Sequence, residues 1–132
     1  MKKFNKIIGN LGEDLAAQYL QKQGYEILER NWGSKWGEID IVCKSNRESN
    51  RRGLSISTAA VGSLVFVEVK TKTGRLYGSP AQMVNPRKLF QIKRIASLYP
   101  AGINQFKRID VVAIVLSYDR RLISLNHYQA VY

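Results

Sequence analysis

Two carboxylates and a lysine lie near the ends of two apolar segments of this sequence. Glu68 and Lys70 close the run at residues 64–70, LVFVEVK, which before Glu68 is apolar on both faces of a strand. Because alternate residues of a strand share a face, both side chains point to the same side. Asp40 lies in a second segment, residues 36–43, WGEIDIVC. A central strand has no structural need for an acid and a base at its end, so we interpret these residues as candidates for chemistry.

Two neighbouring carboxylates favour a hard divalent cation, so Asp40 and Glu68 predict a site for Mg²⁺ or Mn²⁺. Such a cation lowers the pKa of a bound water and polarises a phosphate, while a lysine such as Lys70 orients or deprotonates that water. One histidine and one cysteine leave no zinc-type cluster. The structural alternative is an ion pair between Asp40 and Lys70, with Glu68 at an exposed strand end. Spacing alone does not separate the two interpretations.

The pattern of Asp40 followed by Glu68-Val69-Lys70 resembles the PD-(D/E)xK nuclease superfamily. Further motifs, in chain order, narrow the resemblance to the YraN-like family of small bacterial proteins: Gly12-Glu13, Ala16-Ala17-x-Tyr19-Leu20, Gly24-Tyr25, Arg30-Asn31, Gly37-Glu38-Ile39-Asp40, Val65-Phe66-Val67-Glu68-Val69-Lys70 and Asp110-Val111-Val112. Together they cover nearly the whole chain. The resemblance implies an α/β fold of the restriction-endonuclease-like type, with a mixed central β-sheet flanked by α-helices.

The resemblance also implies roles for individual residues. The metal ligands would be Asp40, Glu68 and the backbone carbonyl of Val69. Lys70 would orient or deprotonate the metal-bound water. In related resolvases a glutamate of the N-terminal helix approaches the metal, which makes Glu13 a further catalytic candidate. Its spacing from Asn10 is also that of a helix capping box, a purely structural explanation.

The charge of the chain predicts an anionic partner, of which nucleic acid is the commonest. Lysine and arginine number 21 against 10 acidic residues, a net charge of +11. Residues 70–108 contain nine basic residues and no acidic one. Phosphate contact is preferred here over a merely solvated surface. The predicted nucleic-acid-binding residues are Lys72, Arg75, Arg87, Lys88, Gln91 and Arg94.

These features predict a Mg²⁺-dependent endonuclease that acts on DNA, in repair or recombination as junction resolvases do. The alternative is a non-catalytic nucleic-acid-binding module that retains the nuclease fold. A third possibility is a scaffold that recruits a partner through residues 44–62 or the aromatic tail. Analogy with enzymes that cut both strands suggests a homodimer.

The chain length predicts one domain over residues 1–132, with a flexible insertion at residues 44–62. Helical spacing predicts helices at residues 10–23 and 86–99, the second capped by Asn85. Strands are predicted at residues 25–31, at a sheet edge, and at 36–43, 64–70, 107–116 and 122–125. The turn of the first hairpin is placed at residues 31–34, and a surface loop at 71–85.

Several single residues are interpreted as structural or incidental rather than functional. Cys43 at the end of an apolar strand predicts packing and fits a reducing compartment. Asp110 predicts an ion pair with a basic neighbour, and the single histidine, His127, is interpreted as incidental. Trp32 and Trp36 are expected to pack at the hairpin rather than line a substrate cleft. Without a signal-peptide pattern or an apolar run long enough to span a bilayer, the protein is expected to be cytoplasmic and away from membranes.

Overall fold

A five-stranded mixed sheet with a helix on each face forms the fold, in a computed structural model that describes residues 2–45, 62–74, 84–102 and 105–132. The elements in chain order are α1 (Lys2–Lys22), β1 (Tyr25–Ser34), β2 (Gly37–Ser45), β3 (Leu64–Thr73), α2 (Pro86–Ala96), β4 (Lys107–Leu116) and β5 (Leu122–Tyr128). They follow the sheet order β1-β2-β3-β4-β5, in which β3 and β4 are parallel and the other pairs antiparallel. This confirms the predicted α/β class.

Strand β3 lies at the centre of the sheet and is buried on both faces. Val65 and Val67 pack toward α1, whereas Phe66 packs toward α2. Because successive side chains of a strand point to opposite faces, a strand between two helices needs apolar residues in both registers. The run LVFV meets this requirement, as the sequence predicted.

Helix α2 begins as predicted. The Asn85 side chain accepts a hydrogen bond from the Lys88 N–H at 2.8 Å, and Pro86 is the first helical residue. The helix ends at Ala96, before the predicted end at Tyr99. Within the described residues, no helix is long and apolar enough to cross a membrane.

Helix α1 begins at Lys2, eight residues before the predicted start at Asn10. The capping-box explanation of Glu13 is therefore wrong, because Asn10 lies in the helix interior. The apolar stripe continues toward the N-terminus through Ile8, which is buried in the core between α1 and the sheet. Packing of Ile8 explains why the helix extends past a residue that favours caps.

The first hairpin turns later than predicted. Residues 31–34 belong to β1, and the chain reverses at Lys35 and Trp36, where Ser34 pairs with Gly37. Strand β1 is an edge strand, as predicted. Strand β3 continues to Thr73 instead of ending at Lys70, and β5 continues to Tyr128.

The predicted insertion lies largely outside the described residues. Of residues 44–62, the structure describes 44, 45 and 62, and β2 runs to Ser45, whose N–H donates to the Ser63 carbonyl at 2.9 Å. Much of the predicted loop at residues 71–85, with Arg75, also falls outside them. The described part of that segment begins as strand rather than loop, because Thr71 and Lys72 pair with Ile114 and Val115 of β4.

A buried polar network joins the C-terminal segment to β4. Asp110 pairs with Arg108 at 2.9 Å, which confirms the predicted ion pair. The interpretation of His127 as incidental is wrong, because its Nε2 lies 2.7 Å from Asp110 and its Nδ1 lies 3.1 Å from the Tyr19 hydroxyl. Burial alone would raise the pKa of Asp110, but hydrogen bonds from His127, Arg108 and the Ala130 N–H hold it below its ordinary value.

Cys43 is buried within the sheet, as its apolar surroundings predicted. Burial raises the pKa of its thiol to about 12, which keeps the sulfur protonated and unreactive near neutral pH.

The contact between α1 and β3 requires a glycine at position 12. A Cβ there would overlap the Thr71 side chain, whose branched atoms surround that point. We expect G12A to lower the free energy of unfolding by about 1–3 kcal/mol, because overpacking pushes the helix from the sheet. G9A is the matched control: Gly9 lies in the same helix with nothing within 4 Å of an added Cβ. G9A should raise the free energy of unfolding by up to about 1 kcal/mol, because alanine has a higher helix propensity than glycine. Urea denaturation measures the free energy of unfolding of both variants. Equal changes in G12A and G9A would contradict the close approach of α1 to β3 at Gly12.

Candidate functional site

Strands β2 and β3 separate at Asp40. Their ladder ends at the pair Ile41–Val67, and beyond it the Asp40 carboxylate accepts a hydrogen bond from the Val69 N–H at 2.8 Å. The alternation of β2 also changes here, because Ile39 and Val42 both pack toward α2 while Ile41 packs toward α1. A side chain thus replaces the backbone partner of β3, and this holds the Asp40 carboxylate between the two strand ends.

Glu68 and Lys70 lie on the α2 side of β3. Glu68 is 6% exposed, and the Lys70 ammonium lies 3.8 Å from its Oε1. A second ammonium, that of Lys88 in the first turn of α2, also lies 3.8 Å from the same oxygen. The carboxylate therefore sits between a lysine of its own strand and a lysine of the covering helix.

Glu13 approaches Asp40 from the α1 side of the sheet. The close contact at Gly12 sets the position of the helix, and the Arg30 guanidinium lies 3.7 Å from the Glu13 carboxylate. Burial is the main cause that raises the pKa of Glu13, and the charge of Asp40 is the second. Glu13 and Val69 also line an open cavity of about 440 Å³ between the first turns of α1 and the end of β3.

Burial and mutual repulsion raise the pKa values of the carboxylates at this site. Burial, followed by the charge of Asp40, raises the pKa of Glu68 to about 7, against the opposing effects of Lys88 and Lys70. Burial also raises the pKa of Asp40, although the hydrogen bond from Val69 opposes this. The two carboxylates therefore titrate as a coupled pair, in which burial and mutual repulsion favour a bound proton.

The donor set fits a hard divalent cation. Asp40 and Glu68 supply carboxylate oxygens whose mutual repulsion a cation would relieve, and Val69, the residue after Glu68, supplies a backbone carbonyl. In the part of the chain that the structure describes, no group of three or more histidine, cysteine, aspartate or glutamate side chains is arranged to hold a metal ion. A metal here would thus rely on two carboxylates and the backbone carbonyl.

The remaining predicted nucleic-acid-binding residues lie on α2, near the end of β3, or outside the described residues. Arg87 and Gln91 are exposed on α2, and Lys72 is exposed near the end of β3. The Arg94 guanidinium lies over the Trp36 ring, with 4.4 Å from Cζ to the ring centroid. Arg75 lies outside the described residues.

Two contacts of the site were not predicted from the sequence. Lys88 was assigned to a nucleic-acid surface, yet it reaches Glu68; its place in the first turn after the Asn85 cap was the available signal. Arg30, for which the edge strand predicts a solvated side chain, contacts both Glu13 and Asp14.

Comparison with known sequences identifies the family. The model of the uncharacterised protein family UPF0102 matches residues 12–114, which include Glu13, Asp40, Glu68 and Lys70. The chain belongs to the UPF0102 family. This confirms the resemblance to the YraN-like family that the motifs indicated.

Relatives in the UPF0102 family align along most of their length. A UPF0102 protein of Syntrophomonas wolfei is 40% identical over 126 residues, covering 93% of this chain and 95% of the relative. One of Caldanaerobacter subterraneus is 38% identical over 132 residues and covers 96% of each chain. One of Mycobacterium avium is 35% identical over 127 residues, or 94% and 88% of the two chains.

The raised pKa of Glu68 predicts how stability depends on pH. The folded carboxyl keeps its proton up to about pH 7, whereas the unfolded one releases it near 4.5. The folded state thus binds more protons in this window. Without divalent cations, the free energy of unfolding should fall by on the order of 2 kcal/mol between about pH 5 and pH 8.

Urea denaturation in EDTA across this range measures the effect. E68Q should flatten the pH dependence, because the amide carries no proton to lose. E26Q is the control, since Glu26 is exposed on the edge strand and should keep the wild-type slope. A wild-type slope in E68Q would show that the carboxylates do not repel each other as described.

Proposed function

We propose that this protein is a divalent-metal-dependent endonuclease that hydrolyses phosphodiester bonds in DNA. The observation that carries the proposal is the convergence of Asp40, Glu68 and Lys70 at the point where β2 and β3 separate. Glu68 is buried and Asp40 half-buried, the two acids are close enough to share a proton, and the Lys70 ammonium lies 3.8 Å from Glu68. A purely structural ion pair between Asp40 and Lys70 does not account for this, because the Asp40 carboxylate accepts its hydrogen bond from the Val69 N–H.

In this proposal Asp40, Glu68 and the Val69 carbonyl would hold Mg²⁺ or Mn²⁺, which when bound supplies a water of lowered pKa and a polarised phosphate. Glu68 must release its shared proton before it can act as a ligand. Lys70 orients the attacking water and offsets negative charge on the phosphate. Glu13 keeps Asp40 in place from the α1 side.

Lys88 gives the site a second positive group on the α2 side. Its ammonium lies 3.8 Å from Glu68, and a phosphate entering between α2 and β3 would find both Lys88 and Lys70. Arg87 and Gln91 lie exposed on the same helix. These side chains give the DNA backbone a positively charged face beside the carboxylates, in keeping with the net charge of +11.

Paired measurements of metal binding and cleavage test the proposal. Wild type should bind Mn²⁺ in calorimetry and, with Mg²⁺, cleave branched or linear DNA. D40N and E68Q should lose cleavage by at least about 100-fold, because each removes a charged ligand. Both should remain folded at pH 8, since each substitution relieves repulsion between buried carboxylates.

The control is E38Q, which changes an exposed acid of the same strand two residues before Asp40. It should bind metal and cleave like wild type. Cleavage at the wild-type rate by E68Q would show that the catalytic site lies elsewhere.

A second candidate function is a nucleic-acid-binding module without catalysis. It is favoured by the two lysines that already lie 3.8 Å from Glu68, and by the finding that the described residues offer no three-side-chain metal group. It predicts salt-dependent DNA binding that is equal in wild type, D40N and E68Q, with no heat of Mn²⁺ binding in any of them. Metal-dependent turnover that the two substitutions abolish would exclude it.

A further inference from the structure

The two tryptophans of the β1–β2 hairpin have different environments. Trp32 packs edge-on against Tyr99, with ring centroids 5.0 Å apart, and joins the core on the α2 side, as the sequence predicted. Trp36 lies in the turn itself and is 44% exposed. Both tryptophans were expected to pack at the hairpin: Trp32 does so as part of the core, whereas the Trp36 ring contacts Lys35 and Arg94 at the hairpin tip.

Two cationic groups lie over the Trp36 ring. The Lys35 ammonium is 4.8 Å and the Arg94 guanidinium carbon 4.4 Å from the ring centroid. A half-exposed tryptophan ring with two cationic groups over it suits a ligand that has both a flat π surface and a negative charge, because a base that displaces one cation from the ring leaves that cation to pair with the phosphate. A nucleotide has both, because its base stacks on aromatic rings while its phosphate pairs with Lys or Arg.

This group of residues lies near the carboxylates. Trp36 precedes Asp40 by four residues, a separation of at most about 13 Å along an extended chain. Arg94 follows Lys88 by six residues, or about 9 Å along the axis of α2. These spans are short enough for a few nucleotides of one DNA strand to reach from Trp36 to the carboxylates.

We propose that Trp36, with Lys35 and Arg94, is a stacking platform for an unpaired base of the DNA strand that lies across the carboxylates. The base would lie a few nucleotides from the phosphodiester at Asp40 and Glu68. Bases inside a duplex have both faces covered by their neighbours, so the platform selects DNA with a single-stranded segment beside the cut. The inference rests on the proposed function for the identity of the ligand, but stacking itself requires neither metal nor cleavage.

A structural role of Trp36 makes a different prediction. The hairpin tip lies beside α2, where a Cβ on Gly37 would be 3.4 Å from the Ile95 side chain, so Trp36 could serve only to attach the tip through Arg94. Loss of the ring would then lower stability and affect all DNA ligands equally. Stacking predicts a loss confined to ligands that offer a free base.

Titrations of the full chain in EDTA, followed by tryptophan fluorescence and by anisotropy of labelled DNA, test the platform. The ligands are oligo-dT of about 12 nucleotides, an abasic strand of equal length, and a blunt duplex. Wild type should bind oligo-dT more tightly than the abasic strand, with quenching. W36L should bind oligo-dT between about 5-fold and 150-fold more weakly, with unchanged affinity for the other two ligands.

W36F is the matched variant, because it keeps an aromatic face and should retain most of the preference for oligo-dT over the abasic strand. Equal affinity of wild type and W36L for oligo-dT would overturn the platform, as would equal losses for all three ligands. The wild-type protein alone gives a further test. If oligo-dT quenches its tryptophan fluorescence no more than the abasic strand does, the stacking platform is also overturned.

The same proteins separate this inference from the proposed function. If D40N and E68Q cleave as wild type does while W36L loses affinity for oligo-dT alone, the metal site is wrong and the platform stands. If the two acid variants lose cleavage while W36L binds every ligand like wild type, the nuclease stands and the platform is wrong.

Discussion

The hydrogen bond from the Val69 N–H to the Asp40 carboxylate is the contact on which the candidate site depends. It forms where β2 leaves β3, so the opened end of the sheet is occupied by an acid instead of a backbone carbonyl. Because the donor is the residue after Glu68, the bond also holds the Asp40 carboxylate near Glu68. Glu13 reaches the same point from the other face, since Gly12 lets α1 approach β3 closely. Three carboxylates thus meet at one strand end.

Such a concentration of acids is unfavourable unless something compensates for it. The chain supplies partial compensation through Lys70 and Lys88 near Glu68 and through Arg30 near Glu13. The remaining repulsion appears in the raised pKa values of the acids, led by burial in each case. A polar site made only for stability would be completely satisfied, as the Asp110 network is, where hydrogen bonds lower the pKa of the acid. The acids at the end of β3 and Asp110 thus differ in the direction of their pKa shifts, because hydrogen bonds outweigh burial only at Asp110.

Much of the fold could be predicted because its signals are local. The apolar run of β3, the bounds of β4 at Lys107–Leu116 and the cap and proline at the start of α2 each depend on neighbouring residues in the chain. The errors occurred where packing overrides a local signal. Asn10 and Glu13 have the spacing of a cap, but burial of Ile8 carries α1 past them. Residues 31–34 have the composition of a turn, although residues 32–34 pair with β2.

The sequence by itself determined which groups are present for chemistry: two acids and a lysine on apolar segments, an excess of positive charge, and membership of a family that the motifs identify. Only the tertiary structure decided which of them meet. Glu13 and Lys88 come to the two acids from opposite faces of the sheet, and His127 meets Asp110 across 17 residues of chain. It also decided that Trp32 is packed and Trp36 exposed. The physical reason is that alternation and spacing specify the face on which a side chain lies, whereas its partners depend on which elements cover that face and how closely they approach.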